Sequence, residues 1–153
     1  MRSSYYLRNN VSLAIGIIHS VLKAGRTITM AELALLLPFL LDDRIVSILL
    51  DSDRHFTMNS LITMNNIALA NFNDRYFSLL PLVYQSMSIL LDVDAISVSD
   101  GVIRQKKMEP FDAMVEESGS RELSNICKAS ERLFALVARE NTYELYRTLR
   151  VEL

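Results

Sequence analysis

The chain has 153 residues, half of them hydrophobic, and a formal net charge of −2, which excludes disorder and leaves ample material for the core of one domain. A sequence pI of about 5.7 means that it lacks the basic excess with which free-standing DNA-binding domains neutralise phosphate. Its single cysteine, Cys127, excludes an internal disulfide and reads as a packed thiol of a cytoplasmic protein.

The chain opens on a short polar segment holding Tyr5, Tyr6, Asn9 and Asn10. Arg2 and Arg8 then precede an apolar run, Val11 to Leu22, that superficially resembles a secretory signal. His19 inside the run, Lys23 behind it and the lack of a small-x-small site argue against one. We read Val11 to Ala24 as a first helix with Leu13, Ile17, Ile18, Val21 and Leu22 inward, ended by Gly25. Thr29 and Glu32 form a capping box for a second helix to Leu41, which Pro38 should kink or shorten. Its apolar run is far below the roughly 20 residues of a bilayer span, so no membrane is expected as a partner. Asp42 or Asp43 caps a third helix through Ile45 to Leu50, and Thr57 a fourth from Met58 to about Ala70.

The stretch from Phe72 to Gln105 organises the rest. Tyr76, Leu79, Leu80, Val83, Met87, Leu90 and Leu91 recur at helical steps, with Asn73 as the N-cap. The period then switches to two: Ile96 and Val98 alternate with serine, Asp100-Gly101 marks a tight turn, and Val102 and Ile103 follow. A helix running into a hairpin is the back half of a winged-helix unit. Beyond it, Arg104-Gln-Lys-Lys107 is basic, Glu109-Pro110 stops the strand, and Glu116 to Ser120 is polar. Ser120 caps a helix carrying Leu123, Ile126, Cys127, Leu133, Phe134 and Val137. Asn141 and Glu144 form another capping box, opening a short helix with Leu145, Tyr146 and Leu149. The expected fold is mainly α. A winged-helix-like core with one hairpin (about 95–105) occupies residues 1–107, a linker follows over 108–120, and helices in 121–153 pack on the core or on a partner.

Catalytic patterns are absent from the sequence. The four glycines are isolated and build no phosphate cradle. His19 and His55 lie in different segments without a cysteine or carboxylate at ligand spacing, so no metal is expected. His19 reads as a helix residue at the core's edge and His55 as a loop residue. Asp42-Asp43 and Asp92/Asp94 stand where caps and turns favour aspartate. The reading is a protein that is not an enzyme, with no cofactor and no small-molecule substrate. Arg75, Arg104, Lys106 and Lys107 are candidates for contact with DNA phosphates or an acidic partner. Tyr5, Tyr6, Tyr143 and Tyr146 are candidate anchors for a protein partner. One function compatible with these residues is a small winged-helix transcription regulator that lays the Asn73–Met87 helix in the major groove. That helix offers few base-reading side chains and contains Pro81. The other is a protein-docking subunit, to which an apolar excess and seven methionines are suited.

Three ordered blocks also carry a resemblance. The first is the helix from Asn10 onward, Leu35-Leu-Leu-Pro-Phe-Leu-Leu41 and Asp42-Asp-Arg44. The second is Phe72-x-x-Arg75, Leu79-x-Pro81, Ile89-Leu-Leu91 and Gly101-Val-Ile-Arg104. The third is Ala129-Ser-Glu-Arg-Leu-Phe-Ala135 with Tyr143-Glu-Leu-Tyr-Arg-Thr-Leu-Arg-Val151. In this order the chain resembles the small middle component of bacterial three-component ABC-type systems, the group that includes the small accessory subunit of Lamassu defence. It departs at Asn10-Val11, where the family often has Asn-Pro, and at Phe134 and Arg150, where it often has glycine after leucine. The resemblance implies a non-catalytic adaptor between an SMC/Rad50-like coiled-coil ATPase and an effector subunit, often a nuclease, with DNA reached indirectly through the complex.

Overall fold

The computed structural model describes residues 11–23, 27–51, 53–117 and 119–153. Tyr5, Tyr6 and Gly25 lie outside the described residues. The helices are α1 (Val11–Lys23), α2 (Met30–Leu40), α3 (Asp43–Leu50), α4 (Met58–Met64), α5 (Phe72–Asp92), α6 (Glu109–Glu117), α7 (Arg121–Val137) and α8 (Thr142–Thr148). The strands are β1 (Ile28–Thr29), β2 (Ile96–Ser99) and β3 (Val102–Gln105). The protein is therefore mainly helical with a small antiparallel sheet.

Two helices make the centre. In α1 the whole run from Leu13 to Leu22 is buried, as expected of a helix without a sustained polar face. In α2 the same holds from Leu33 to Leu40, and the helix stops two residues past Pro38. Around them α5 packs on both, α7 packs on α1, α2 and α3, and α6 lies against α1. Gly16 permits the close approach of α7: a Cβ there would stand 3.0 Å from Leu123 Cδ1. Cys127, also on α7, donates its thiol to the Gly16 carbonyl at 3.7 Å, and burial pushes that thiol's pKa up. His19 is buried and its Nε2 lies 2.6 Å from Asp112 Oδ1 on α6. Lys23 donates to the same oxygen at 3.1 Å. Hydrogen bonds from Lys23 and His19 hold the Asp112 carboxyl below its ordinary range.

The caps follow local chemistry. Thr29 and Glu32 make the full box at the start of α2, and Ser120 accepts the Leu123 amide at the start of α7. Asp42, not Asp43, caps α3 through the amides of Arg44 and Ile45. At α8, Asn141 accepts the Glu144 amide, but the reciprocal arm is not made, because Glu144 faces Arg147 at 3.5 Å.

Several elements differ from the sequence reading. The hairpin is not alone: β1 pairs with β3, Ile28 opposite Ile103, giving the order β1-β3-β2. At its tip Asp100 and Gly101 have φ of 53° and 74°, the paired positive values that a two-residue type I′ turn requires. Helix α4 ends at Met64 instead of reaching Ala70, with turns from Asn65 to Asn71. Asn73 is not the N-cap of α5, which begins at Phe72 behind Asn71. Its Oδ1 instead accepts the Glu152 amide at 2.9 Å, tying the end of the chain to α5. Within 108–120, Glu109–Glu117 is helical with Pro110 in its first turn, where a missing amide hydrogen leaves no helical bond unmade.

One arginine holds the α3–α4 connection. Arg132 on α7 donates to the carbonyls of Leu49 (2.6 Å), Asp51 (2.7 Å) and Arg54 (2.8 Å). Its guanidinium also covers the Phe56 ring, 5.3 Å from the centroid. The planar fork satisfies carbonyls in the last turn of α3 and beyond its end that have no helical donor.

Candidate docking surface

The four cations singled out by sequence fall into two places, separated by most of the length of α5. Arg75 sits one turn into that helix, and its guanidinium points inward. It donates to the carbonyls of Pro38 and, at 3.2 Å, Ala68, and it pairs with Asp42 at 3.5 Å. This makes it a strut between α5 and the α2–α3 corner. Asp42, the centre of that corner, also takes Arg44 in a two-pronged pair of 3.3 and 3.2 Å. Burial works against its charge, but the Arg44 side chain and the amides of Arg44 and Ile45 outweigh it and hold the carboxyl below its usual range.

At the other end of α5, Asp94 occupies the left-handed position (φ 59°) that closes the helix. Ala95 N–H bonds the Leu90 carbonyl and Asp94 N–H the Leu91 carbonyl, a Schellman closure. From there the Asp94 carboxylate receives Lys106 and lies 3.9 Å from Lys107. The Lys106 bond is the main reason why its pKa is lowered. Arg104 is exposed and donates to Ser99 Oγ at 3.1 Å. With Asp92 and Asp100 also exposed, the hairpin and its flanks oppose three carboxylates to three cations. A phosphate-tracking surface presents net positive charge instead.

The tyrosines lead to a different surface. Tyr146 is buried, donates its hydroxyl to the Ala31 carbonyl at 2.8 Å and lies 3.2 Å from the Tyr76 hydroxyl. The two rings meet edge to face, 5.7 Å between centroids. Burial, then the bond to Tyr76, raises the Tyr146 pKa, so it is a neutral donor at every working pH. This contact fastens α8 beside α2 and α5. Between the three helices runs an open groove of about 420 Å³, walled by Ala34, Leu80, Val83, Tyr84, Tyr143 and Leu153. Tyr84 is 59 % exposed and Tyr143 70 %, so two large aromatics stand at its rim. Such aromatics beside an apolar trough are what protein interfaces favour.

The sequence reading named Tyr143 and Tyr146 as candidate anchors and not Tyr84; of the two, Tyr143 stands at the rim and Tyr146 is buried. Leu91, one of the apolar residues that recur at helical steps, is exposed, as is Phe77. The signal was available: Phe77, Tyr84 and Leu91 repeat every seven residues, off the line of Tyr76, Val83 and Leu90 that faces the core. Among the described residues no helix is long and apolar enough to cross a membrane. No group of three or more His, Cys, Asp or Glu among them is placed to hold a metal.

No curated protein and no solved structure matches the chain. A family model described as the ABC-three component (ABC-3C) system Middle Component 3 matches residues 13–153. That match spans α1 through α8 apart from the first two residues of α1, so the chain belongs to the Middle Component 3 family of ABC-three component systems.

Proposed function

We propose that the protein is a non-catalytic adaptor that joins an SMC/Rad50-like coiled-coil ATPase to an effector subunit, a nuclease, in a cytoplasmic complex of Lamassu-like antiviral and anti-plasmid defence. Membership of a middle-component family implies association with the other components of such a system. The observation that carries the reading is the groove with Tyr84 and Tyr143 at its rim, an open and mainly apolar surface. Tagged protein purified from its native operon is expected to bring down a large ATPase and an effector in fixed ratio. A lone monomer or dimer would sink the proposal.

A second reading keeps the same fold. The order helix, strand, three helices, long helix and hairpin, with β1 closing on β3, supports a winged-helix type of core with two inserted helices, α3 and α4. In a DNA-binding protein of that type, Arg104 and the two lysines after it would track phosphates. The Asp94 carboxylate between Lys106 and Lys107 favours a protein contact. A defined duplex shifted by the isolated chain at physiological salt would reverse that preference.

A further inference from the structure

The outer face of α5 has a regular construction. Phe77, Pro81, Tyr84, Ser88 and Leu91 are all exposed and succeed one another at steps of four, three, four and three residues. That stepping is the spacing of a coiled-coil seam. The two borders of the seam differ. One is Leu80 and the groove against α2 and α8. The other is Asp74 with Ser78, Gln85 and Asp92, all exposed; the two aspartates lie about five turns of 3.6 residues apart and so share a side. Because Arg75 is turned inward to Pro38 and Asp42, the charges that α5 exposes are both acidic. Pro81 adds an acceptor to the seam, since it has no N–H to offer the Phe77 carbonyl.

We propose that this seam seats an amphipathic helix of another protein, with basic side chains along the flank that faces Asp74 and Asp92. The inference rests on the adaptor reading above and specifies the contact which that reading uses. A helix is the occupant because a seam with a seven-residue repeat meets an apolar stripe of the same repeat. The flank is basic because two carboxylates and an unmatched carbonyl call for donors. A second copy of this chain fits poorly. Antiparallel self-pairing sets Asp74 against the copy's Asp92, and parallel pairing presses the aspartates onto the Leu80 edge of the groove. The same carboxylates repel a nucleic-acid backbone.

The test uses the complex assembled from the native operon, with photoreactive p-benzoylphenylalanine replacing Tyr84 in one variant and Leu91 in another. Both are expected to cross-link to a single helix of one partner, at points about seven residues apart. Tyr84→Asp with Leu91→Asp is expected to weaken recovery of that partner at least about tenfold. Asp74→Lys with Asp92→Lys weakens it by several-fold, and both pairs leave the melting temperature of the isolated chain unchanged. Cross-links to an extended segment, to scattered sites or to a second copy overturn the proposal. Undiminished assembly by the Tyr84/Leu91 variant overturns it too while leaving the adaptor reading standing. Failure of the wild-type chain to recover any component overturns both.

Discussion

Arg75 and Asp42 make one corner, and each has a measurable signature. The Arg75 guanidinium joins the Pro38 and Ala68 carbonyls to Asp42, so Arg75→Ala leaves a buried carboxylate and two carbonyls short of a donor. Losses of this kind run to about 2–3 kcal/mol, and a fall of that size in the urea-unfolding free energy is expected. Arg75→Lys recovers only part of it, because an ammonium cannot fork. Asp42 adds a pH dependence. Its pKa is lowered in the folded state, so its contribution is present in full above the unfolded value of about 3.9 and fades as pH falls through the folded value. Asn still caps a helix but carries no charge. Asp42→Asn is therefore expected to be less stable than wild type at neutral pH and to show a flatter decline below about pH 4. Parallel declines in the two proteins would mean that Asp42 does not govern the acid limb.

At the level of elements, what the sequence discloses depends on how far a contact reaches. Thr29, Asp42, Thr57 and Ser120 cap helices through amides two or three residues away, and each was legible, Asp42 as one of two adjacent aspartates. The hairpin was legible for the same reason, since Asp100-Gly101 fixes its own turn. Strand β1 was not: two residues carry no periodicity, and Ile28 finds its partner at Ile103, far along the chain. The Glu109–Glu117 helix was hidden by Pro110, which reads as a breaker until its place in a first turn is known. Arg75 was misjudged because an arginine near a helix start looks solvent-facing when its acceptors lie a whole helix away in sequence. The groove needs Ala34, Tyr84 and Tyr143 from three separated helices, so only its parts were visible.

The same scale decides how the hairpin's charge behaves. Asp94 holds the left-handed closing position of α5 and both lysines. Asparagine tolerates that backbone nearly as well, so Asp94→Asn is expected to fold normally and to release Lys106 and Lys107. Assembly with partner subunits should be unaffected if the hairpin contacts only protein. A duplex-binding affinity that rises in this variant, and falls more steeply with salt, would identify the hairpin as a DNA contact.

Over the whole molecule, one continuous core runs from Leu13 on α1 to Leu149 just past α8. Helix α7 is its brace, touching α1, α2 and α3 along its length. Arg132 extends that brace outward to the α3–α4 connection, and the carbonyl of Arg54 is one of its three acceptors. Trypsin cuts on the carboxyl side of arginine, so the bond it would hydrolyse after Arg54 contains the carbonyl that Arg132 holds. Cleavage requires that carbonyl to leave the clamp and enter the protease, which makes Arg54 a reporter of local opening. Wild-type protein under limited digestion should be nicked slowly there although Arg54 lies on an exposed loop. Arg132→Gln, which opens the clamp while keeping a polar side chain, should be cut after Arg54 first.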